Sequence, residues 1–388
     1  MKRVGGLHDR VLERDNFLVA FHRAARGKRH RAEVREFQRD LPDWLPSIAQ
    51  RLCTDKFQFG RFHQFVIRDP KERIITAPCF EERVVHHAIM NVCEPVLDRW
   101  LIDDTFACRV GRGRVAAVKR AMQFCRKQPW CLKLDVRKYF DSINHDRLLD
   151  LLTQRFKEVP LLSLLDRIVR SFRVSQQMGL PIGSLMSQHF ANFYLGWFDR
   201  YVKETLQVRG YVRYMDDMLI WGNDRDELRR VERECEQFVS NELGLEFKPT
   251  QVRRVEHGIS FLGCRLFPTH NELNRRSKQR WQKRVRFLER AYRLGMLSDL
   301  DLQKRLTSLT AFAQSGGVCS WKFRTSVLQL SVVDEPKGLE PREPWRQLEQ
   351  RGRELSVGEP EQERPVEPEQ QPRLPRCPEF QRTDSWMA

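Results

Sequence analysis

The chain has 388 residues, with 69 Lys and Arg against 52 Asp and Glu and a net charge of +17. That length supports two or three packed lobes, and the basic balance points to a polyanionic partner, nucleic acid first among them. No stretch reaches the roughly 20 apolar residues of a membrane span, and the ten cysteines include no Cys-x-x-Cys pair, which excludes a zinc ribbon and a thioredoxin-like site; reduced, mostly buried thiols in a cytoplasmic protein with no membrane partner are expected.

Apolar periodicity predicts helices over residues 9–26 and 32–53. Phe65–Ile67 and Arg73–Thr76 read as two short strands around a turn at Asp69-Pro70-Lys71-Glu72. Amphipathic helices are expected at Val84–Arg99 and Arg114–Lys127, followed by a compact apolar strand, Trp130–Leu134, ending at Asp135. Residues 146–172 and 187–208 each read as a helix, Tyr211–Tyr214 and Met218–Trp221 as a hairpin, and Glu227–Leu243 as a helix. Two strands are expected at Phe247–Val255 and Ile259–Leu266, with a strongly basic helical region beyond Asn274. From about Asp334 the character changes. Residues 335–388 hold nine prolines, and twelve acidic against nine basic residues leave them at −3, so the preceding 334 residues carry +20. A disordered tail is expected there.

Three elements carry chemistry. In Tyr214-Met215-Asp216-Asp217 two adjacent carboxylates lie between apolar strands. Asp is common in turns, so a plain hairpin tip is one reading; the other is a tight turn that aims both acids into a cleft to hold a hard divalent cation. The strand Leu132-Lys133-Leu134 ends in Asp135, and five residues on comes the ring of Phe140. A strand-terminal Asp also suits a helix N-cap. With the Asp-Asp hairpin, however, it completes an acidic triad of the kind that two-metal phosphoryl transfer needs. Gly179-Leu180-Pro181-Ile182-Gly183-Ser184 forms a tight loop leading into a helix, where small residues admit close approach to backbone. The pair His86-His87 reads as structural, with no acid partner evident in the sequence.

Asp135 with Phe140, the Gly183-x-x-x-Ser187-Gln188 loop and the Tyr214-Met215-Asp216-Asp217 hairpin stand in an order that resembles reverse transcriptases. The loop, Ile182-Gly183-Ser184-Leu185-Met186-Ser187-Gln188, departs from the Gln-Gly-x-x-x-Ser-Pro of most bacterial members and resembles that of diversity-generating retroelements. His63-Gln64-Phe65, Asp69-Pro70-Lys71-Glu72-Arg73, Arg83-Val84-Val85-His86-His87-Ala88, Phe106-Ala107-Cys108-Arg109, Phe261-Leu262-Gly263 and Pro268-Thr269-His270 look like the same family, over roughly residues 25–330. The resemblance implies an α+β right-hand polymerase. Its fingers would span 1–130 with the N-terminal helices, its palm 131–266 with an antiparallel sheet and a fingers-proximal segment near 146–178, and its helical basic thumb 267–333, before the Pro/Glu-rich tail at 334–388.

It also implies roles. Asp135, Asp216 and Asp217 match the catalytic carboxylates, and together with Val136 they would hold two Mg²⁺ ions, with Mn²⁺ as a substitute. Lys71, Arg73, Arg137, Phe140, Ile182, Gly183 and Gln188 match the nucleotide site, where Phe140 would crowd the sugar 2′ position. Tyr214, Met215, the Phe261-Leu262-Gly263 turn and the thumb residues Arg275, Arg276, Lys278 and Lys283 match primer and template contacts, with Trp281 and Phe287 between the thumb cations. The implied partners are a template RNA, the cDNA/RNA duplex, dNTPs and a basic pentameric accessory protein. Ile182 places a branched hydrocarbon where most family members place an amide, and it cannot hydrogen-bond a nascent base pair. Low fidelity is expected from this, and the resemblance implies that the errors fall opposite template adenines. A group II intron, retron or phage-defence reverse transcriptase is the alternative within the class, and a catalytically silent RNA-binding scaffold the alternative outside it.

Overall fold

The computed structural model of the chain describes residues 2–68 and 72–315. Lys71, the last part of the expected thumb and the 334–388 tail lie outside the described residues. The N-terminal region holds four helices where two were expected: α1 (His8–Leu12), α2 (Arg14–Ala25), α3 (Ala32–Arg39) and α4 (Leu41–Cys53). Glu13, with ψ at 135°, separates the first pair. At the second break Pro42 stands in the first turn of α4. Its ring would collide with the carbonyl four residues back if α3 ran on unbroken. Strands β1 (Phe62–Arg68) and β2 (Glu72–Pro78) pair antiparallel from Phe62↔Pro78 to Arg68↔Glu72, and Phe65, Val66, Ile67 and Ile74 are exposed on this hairpin.

Helix α5 (Phe80–Asp98) packs on α2, and α6 (Arg114–Cys125) leads to β3 (Trp130–Asp135). After the short α7 (Tyr139–Ser142), the helix expected over 146–172 is two, α8 (His145–Thr153) and α9 (Val159–Arg170). Asn144 caps α8 by accepting the Arg147 N–H at 3.0 Å, and Pro160 sits in the first turn of α9, where its missing N–H costs nothing. The helix expected over 187–208 likewise becomes α10 (Leu185–Tyr194), α11 (Gly196–Arg200) and a π-turn, Tyr201–Thr205. Strands β4 (Gly210–Tyr214) and β5 (Asp217–Gly222) follow, then α12 (Arg225–Leu243), started by an Asp224 cap and stopped by Gly244 at φ +63°.

The strand expected over 247–255 shrinks to β6 (Gln251–Arg254), because Pro249 has no N–H to give a ladder. The one expected over 259–266 is a hairpin of β7 (Ile259–Phe261) and β8 (Cys264–Leu266), and β9 (Asn271–Leu273), which the sequence reading missed, completes a three-stranded sheet. Helices α13 (Arg275–Arg293) and α14 (Asp299–Ser315) close the described chain. None of the described helices is long and apolar enough to cross a membrane.

The central antiparallel sheet has the order β4-β5-β3-β6. Side chains alternate across it with period two. Leu132, Leu134, Tyr211, Met218 and Ile220 enter a core shared with α8, α10 and α12. Cys131, Val212, Leu219 and Trp221 enter a second core with α6 and the β7-β8-β9 sheet. The two cores cover opposite faces of the sheet.

Candidate active site

The register Tyr214↔Asp217 leaves Met215 and Asp216 as the two-residue loop of the β4–β5 hairpin. Met215 takes the left-handed conformation at φ +55°. Gly, Asn or Asp usually takes that conformation, yet here Met215 holds it and neither Asp216 nor Asp217 has a positive φ, so the carboxylates are not explained by turn chemistry. Beneath the loop, Arg213 is fully buried and forms a two-pronged pair with Asp199 of α11, both N···O distances 2.6 Å. The same guanidinium donates to Asn192 Oδ1 at 2.9 Å and to the Met215 carbonyl at 3.2 Å. Tyr211 and Thr105 each donate a hydroxyl to Asp199 at 2.6 Å. A buried, saturated pair of this kind fixes the loop that carries Asp216.

Asp135 stands directly opposite Asp217 across the β3–β5 ladder. Each acid has its own ammonium: Lys248 Nζ lies 2.5 Å from Asp135 Oδ1, and Lys133 Nζ lies 2.9 Å from Asp217 Oδ1. Burial raises the Asp216 carboxyl above its ordinary range and repulsion from Asp135 adds to this, while Lys248 and Arg73 act against it. Burial also raises Asp217, opposed by Lys133 and reinforced by the two neighbouring acids. Among the described residues no group of three or more His, Cys, Asp or Glu side chains is gathered closely enough to hold an ion. The carboxylates, which repel one another, are instead drawn to separate lysines. The donor set still fits a hard divalent cation: carboxylate oxygens on adjoining strand ends, one of them, Asp217 Oδ1, buried beside an ammonium.

Val136 is buried and bridged to Phe247, and the exposed Arg137 pairs loosely with Glu246 at 3.6 Å. Phe140 is half-buried, and its carbonyl accepts the Leu180 N–H at 2.8 Å, which ties the glycine loop to the acids. That loop is stitched to β2 by the Thr76 N–H, which donates to the Ile182 carbonyl at 2.7 Å. Gly183 has φ +122°, and a Cβ there would stand 2.6 Å from Ile75 Cγ2, so only glycine permits the approach. Arg73 projects exposed from β2, close enough for its charge to act on Asp216. Gln188 is exposed, with Cys108 Sγ 3.8 Å from its Oε1.

Tyr214 packs, half-buried, on the α6-side core. The β7–β8 turn, Leu262 at φ +46° and Gly263 at φ +80°, is held by Arg114, whose Nε donates to the Leu262 carbonyl at 2.8 Å. Lys133 Nζ also donates to the Ser260 carbonyl at 2.9 Å, linking this turn to Asp217. On α13, Arg275, Arg276 and Lys283 are exposed, whereas Lys278 pairs with Glu272 at 2.7 Å. Trp281 does not alternate with the exposed cations as expected: it is buried, donating to the Leu309 carbonyl at 3.0 Å, and only Phe287 lies among them. Sequence reading missed Arg213–Asp199, Lys133, Lys248 and Arg114. The one available signal was a charge inside the apolar strand Tyr211-Val212-Arg213-Tyr214. It also missed the acid partner of His86, which is Glu82, one helical turn earlier and 3.5 Å away.

The chain belongs to the reverse transcriptase (RNA-dependent DNA polymerase) family, whose model matches residues 68–266. Over 242 residues it is 24% identical to protein YkfC of Escherichia coli K12, covering 50% of this chain and 63% of that protein. Over 138 residues it is 22% identical to the group II intron-encoded protein LtrA of Lactococcus lactis subsp. cremoris, covering 34% of this chain and 23% of LtrA. The matches thus span less than two thirds of either relative. The solved apo telomerase of Candida tropicalis superposes with a TM-score of 0.46 and 11% identity, over 71% of this chain and 59% of that one.

Proposed function

We propose that this protein is an RNA-directed DNA polymerase that makes cDNA from a template-repeat RNA, error-prone at template adenines, for targeted gene diversification. One observation carries the polymerase reading: Asp135 and Asp217 face each other in register, beside an Asp216 held on a left-handed Met215 turn. In this reading Asp135, Asp216, Asp217 and the Val136 backbone hold two Mg²⁺ ions, or Mn²⁺ in their place. Bound there, the ions supply Lewis acidity to the primer hydroxyl and the incoming triphosphate. Lys71, Arg73 and Arg137 receive the triphosphate, with Arg as a fork and Lys as a point charge. Phe140 crowds the sugar 2′ position, Ile182 and Gly183 floor the nascent pair, and Gln188 lines the same nucleotide site. Tyr214, Met215 and the Phe261-Leu262-Gly263 turn seat the primer end. Arg275, Arg276 and Lys283 follow duplex phosphates, as Lys278 does once it leaves Glu272.

The diversity-generating subtype draws its support from Ile182 and Gln188, and with it come the structured template RNA and the basic pentameric accessory protein as partners. Likeness to LtrA favours a second reading, a group II intron-type reverse transcriptase. Primer extension on a defined RNA, with Asp216→Ala/Asp217→Ala as control, followed by sequencing of the cDNA, separates the readings. Errors concentrated at adenine support the first and uniform errors the second. No divalent-dependent product, even with candidate partners added, overturns both in favour of an RNA-binding scaffold.

A further inference from the structure

The pair His86-His87 has no part in the chemistry above, yet His86 lies in an unusual setting. His86, Glu82 and Ser184 are 2%, 0% and 2% exposed. Glu82 Oε2 accepts the backbone N–H groups of Gly60 and Arg61 at 3.0 and 3.3 Å. Its other oxygen, Oε1, faces His86 Nε2 across 3.5 Å, and neither atom has another partner. On the far side of the ring, Nδ1 is 3.5 Å from Ser184 Oγ. Ser184 occupies the N-cap position of α10, but its hydroxyl does not cap that helix. The cavity these groups line, about 10 Å³, has room for no ligand larger than one water.

Two facing buried atoms without other partners call for a proton between them. Full burial, aided by the nearby His87 and Arg83 charges, holds the His86 ring neutral by lowering it to about 3. Burial lifts Glu82 to about 7, against the pull of the two backbone N–H groups and Arg61, so a protonated carboxyl is available near neutrality. A neutral imidazole has one donor and one acceptor. With the carboxyl proton on Oε1, Nε2 accepts, Nδ1–H donates to Ser184 Oγ, and every hydrogen bond in the chain runs the same way.

We propose that Glu82, His86 and Ser184 form a buried hydrogen-bond relay that positions the Ile182–Gly183 loop for the incoming nucleotide. This rests on the polymerase reading of that loop. The relay spans from the 60–61 backbone, through one turn of α5, to the residue after Gly183, whose neighbour Ile182 is stitched to β2. Glu82 and His86 are positioning residues: they act on the nucleotide only through Ser184 and the loop.

Single-nucleotide primer extension by the full chain tests this, with Glu82→Leu, His86→Leu and Glu82→Gln compared. Loss of a buried hydrogen bond and of the order it imposes predicts that both Leu variants raise the dNTP KM about tenfold while kcat changes less than about threefold. Glu82→Gln should stay within about twofold of the parent, because its amide donates to Nε2 and its oxygen accepts from Gly60 and Arg61. Nitrogen-15 NMR of His86 should show the Nδ1-protonated neutral tautomer in the parent and in Glu82→Gln. Unchanged KM in both Leu variants, a Gln variant as impaired as Leu, or an Nε2-protonated ring each overturns the relay. If the parent extends no primer, the polymerase reading fails, while the NMR tautomer still decides the relay by itself.

Discussion

Lys133→Met probes the electrostatics of the acid cluster directly. The Lys133 ammonium stands 2.9 Å from Asp217 Oδ1, and the two side chains are only 29% and 25% exposed. Unit charges about 3 Å apart attract by about 5 kcal/mol at an effective dielectric near 20. Desolvation and solvent access reduce the net value of a partly buried pair to roughly 1–2 kcal/mol. Under the proposed two-metal reading, a divalent cation competes with that ammonium for the same carboxylate. Removing the competitor while keeping an apolar stem of similar length should tighten divalent binding by about 5- to 30-fold. Manganese binding followed by electron paramagnetic resonance, at pH 8 with no nucleotide or nucleic acid present, reads this without reference to turnover. Lys133→Arg retains the charge and should stay within about threefold of the parent. Extension should nevertheless slow in Lys133→Met, because the bond to the Ser260 carbonyl is also lost. Unchanged or weaker manganese binding in Lys133→Met would refute the argument.

Three further outcomes follow from the geometry. Ile182→Gln restores an amide at the loop and should lower misincorporation opposite adenine several-fold, read by cDNA sequencing; an unaltered error spectrum removes Ile182 from the account of fidelity. Asp199→Asn leaves the buried Arg213 charge without its counter-ion and should cost about 3–5 kcal/mol in urea unfolding, with Asp199→Leu/Arg213→Leu less damaging than the single change. Burial lowers His189 from 6.5 to about 4, so the folded state binds fewer protons than the unfolded chain between those values. Its contribution to stability is therefore fully present above pH 6.5 and is lost as the pH falls toward 4, and His189→Phe should make the acid-side fall in unfolding midpoint shallower.

The parts of the site that the sequence displayed are those with local signatures. Asp135 ends an apolar run, the Asp216-Asp217 pair interrupts another, and both strands form where periodicity puts them. The glycine loop was visible because Gly179, Pro181 and Gly183 punctuate the chain just before a helical run. What stayed hidden depends on pairing between distant segments. Lys133 is an ordinary strand residue until β5 and β7 bring Asp217 and Ser260 to it, and Lys248 meets Asp135 across 113 residues. Trp281 looked like one of an outward series because helical spacing alone does not say which face α14 covers. Several helix breaks were nonetheless written plainly: Pro42 and Pro160 mark new helix starts inside runs whose apolar spacing suggested continuity. There the local steric rule outweighed the periodic signal.

The alternation along β3 divides the strand's positions by parity. Leu132, Leu134 and Val136 report to the core shared with α8, α10 and α12, while Cys131, Lys133 and Asp135 report to the side of α6 and the β7–β8 turn. Variation at Leu132, Leu134 or Val136, and at Cys131 buried in the second core, is therefore felt as folding stability, whereas Lys133 and Asp135 can vary with less cost to either core. A one-residue slip of β3 would exchange the two faces of the strand and lose the packing of both cores and the Lys133–Asp217 pair at once.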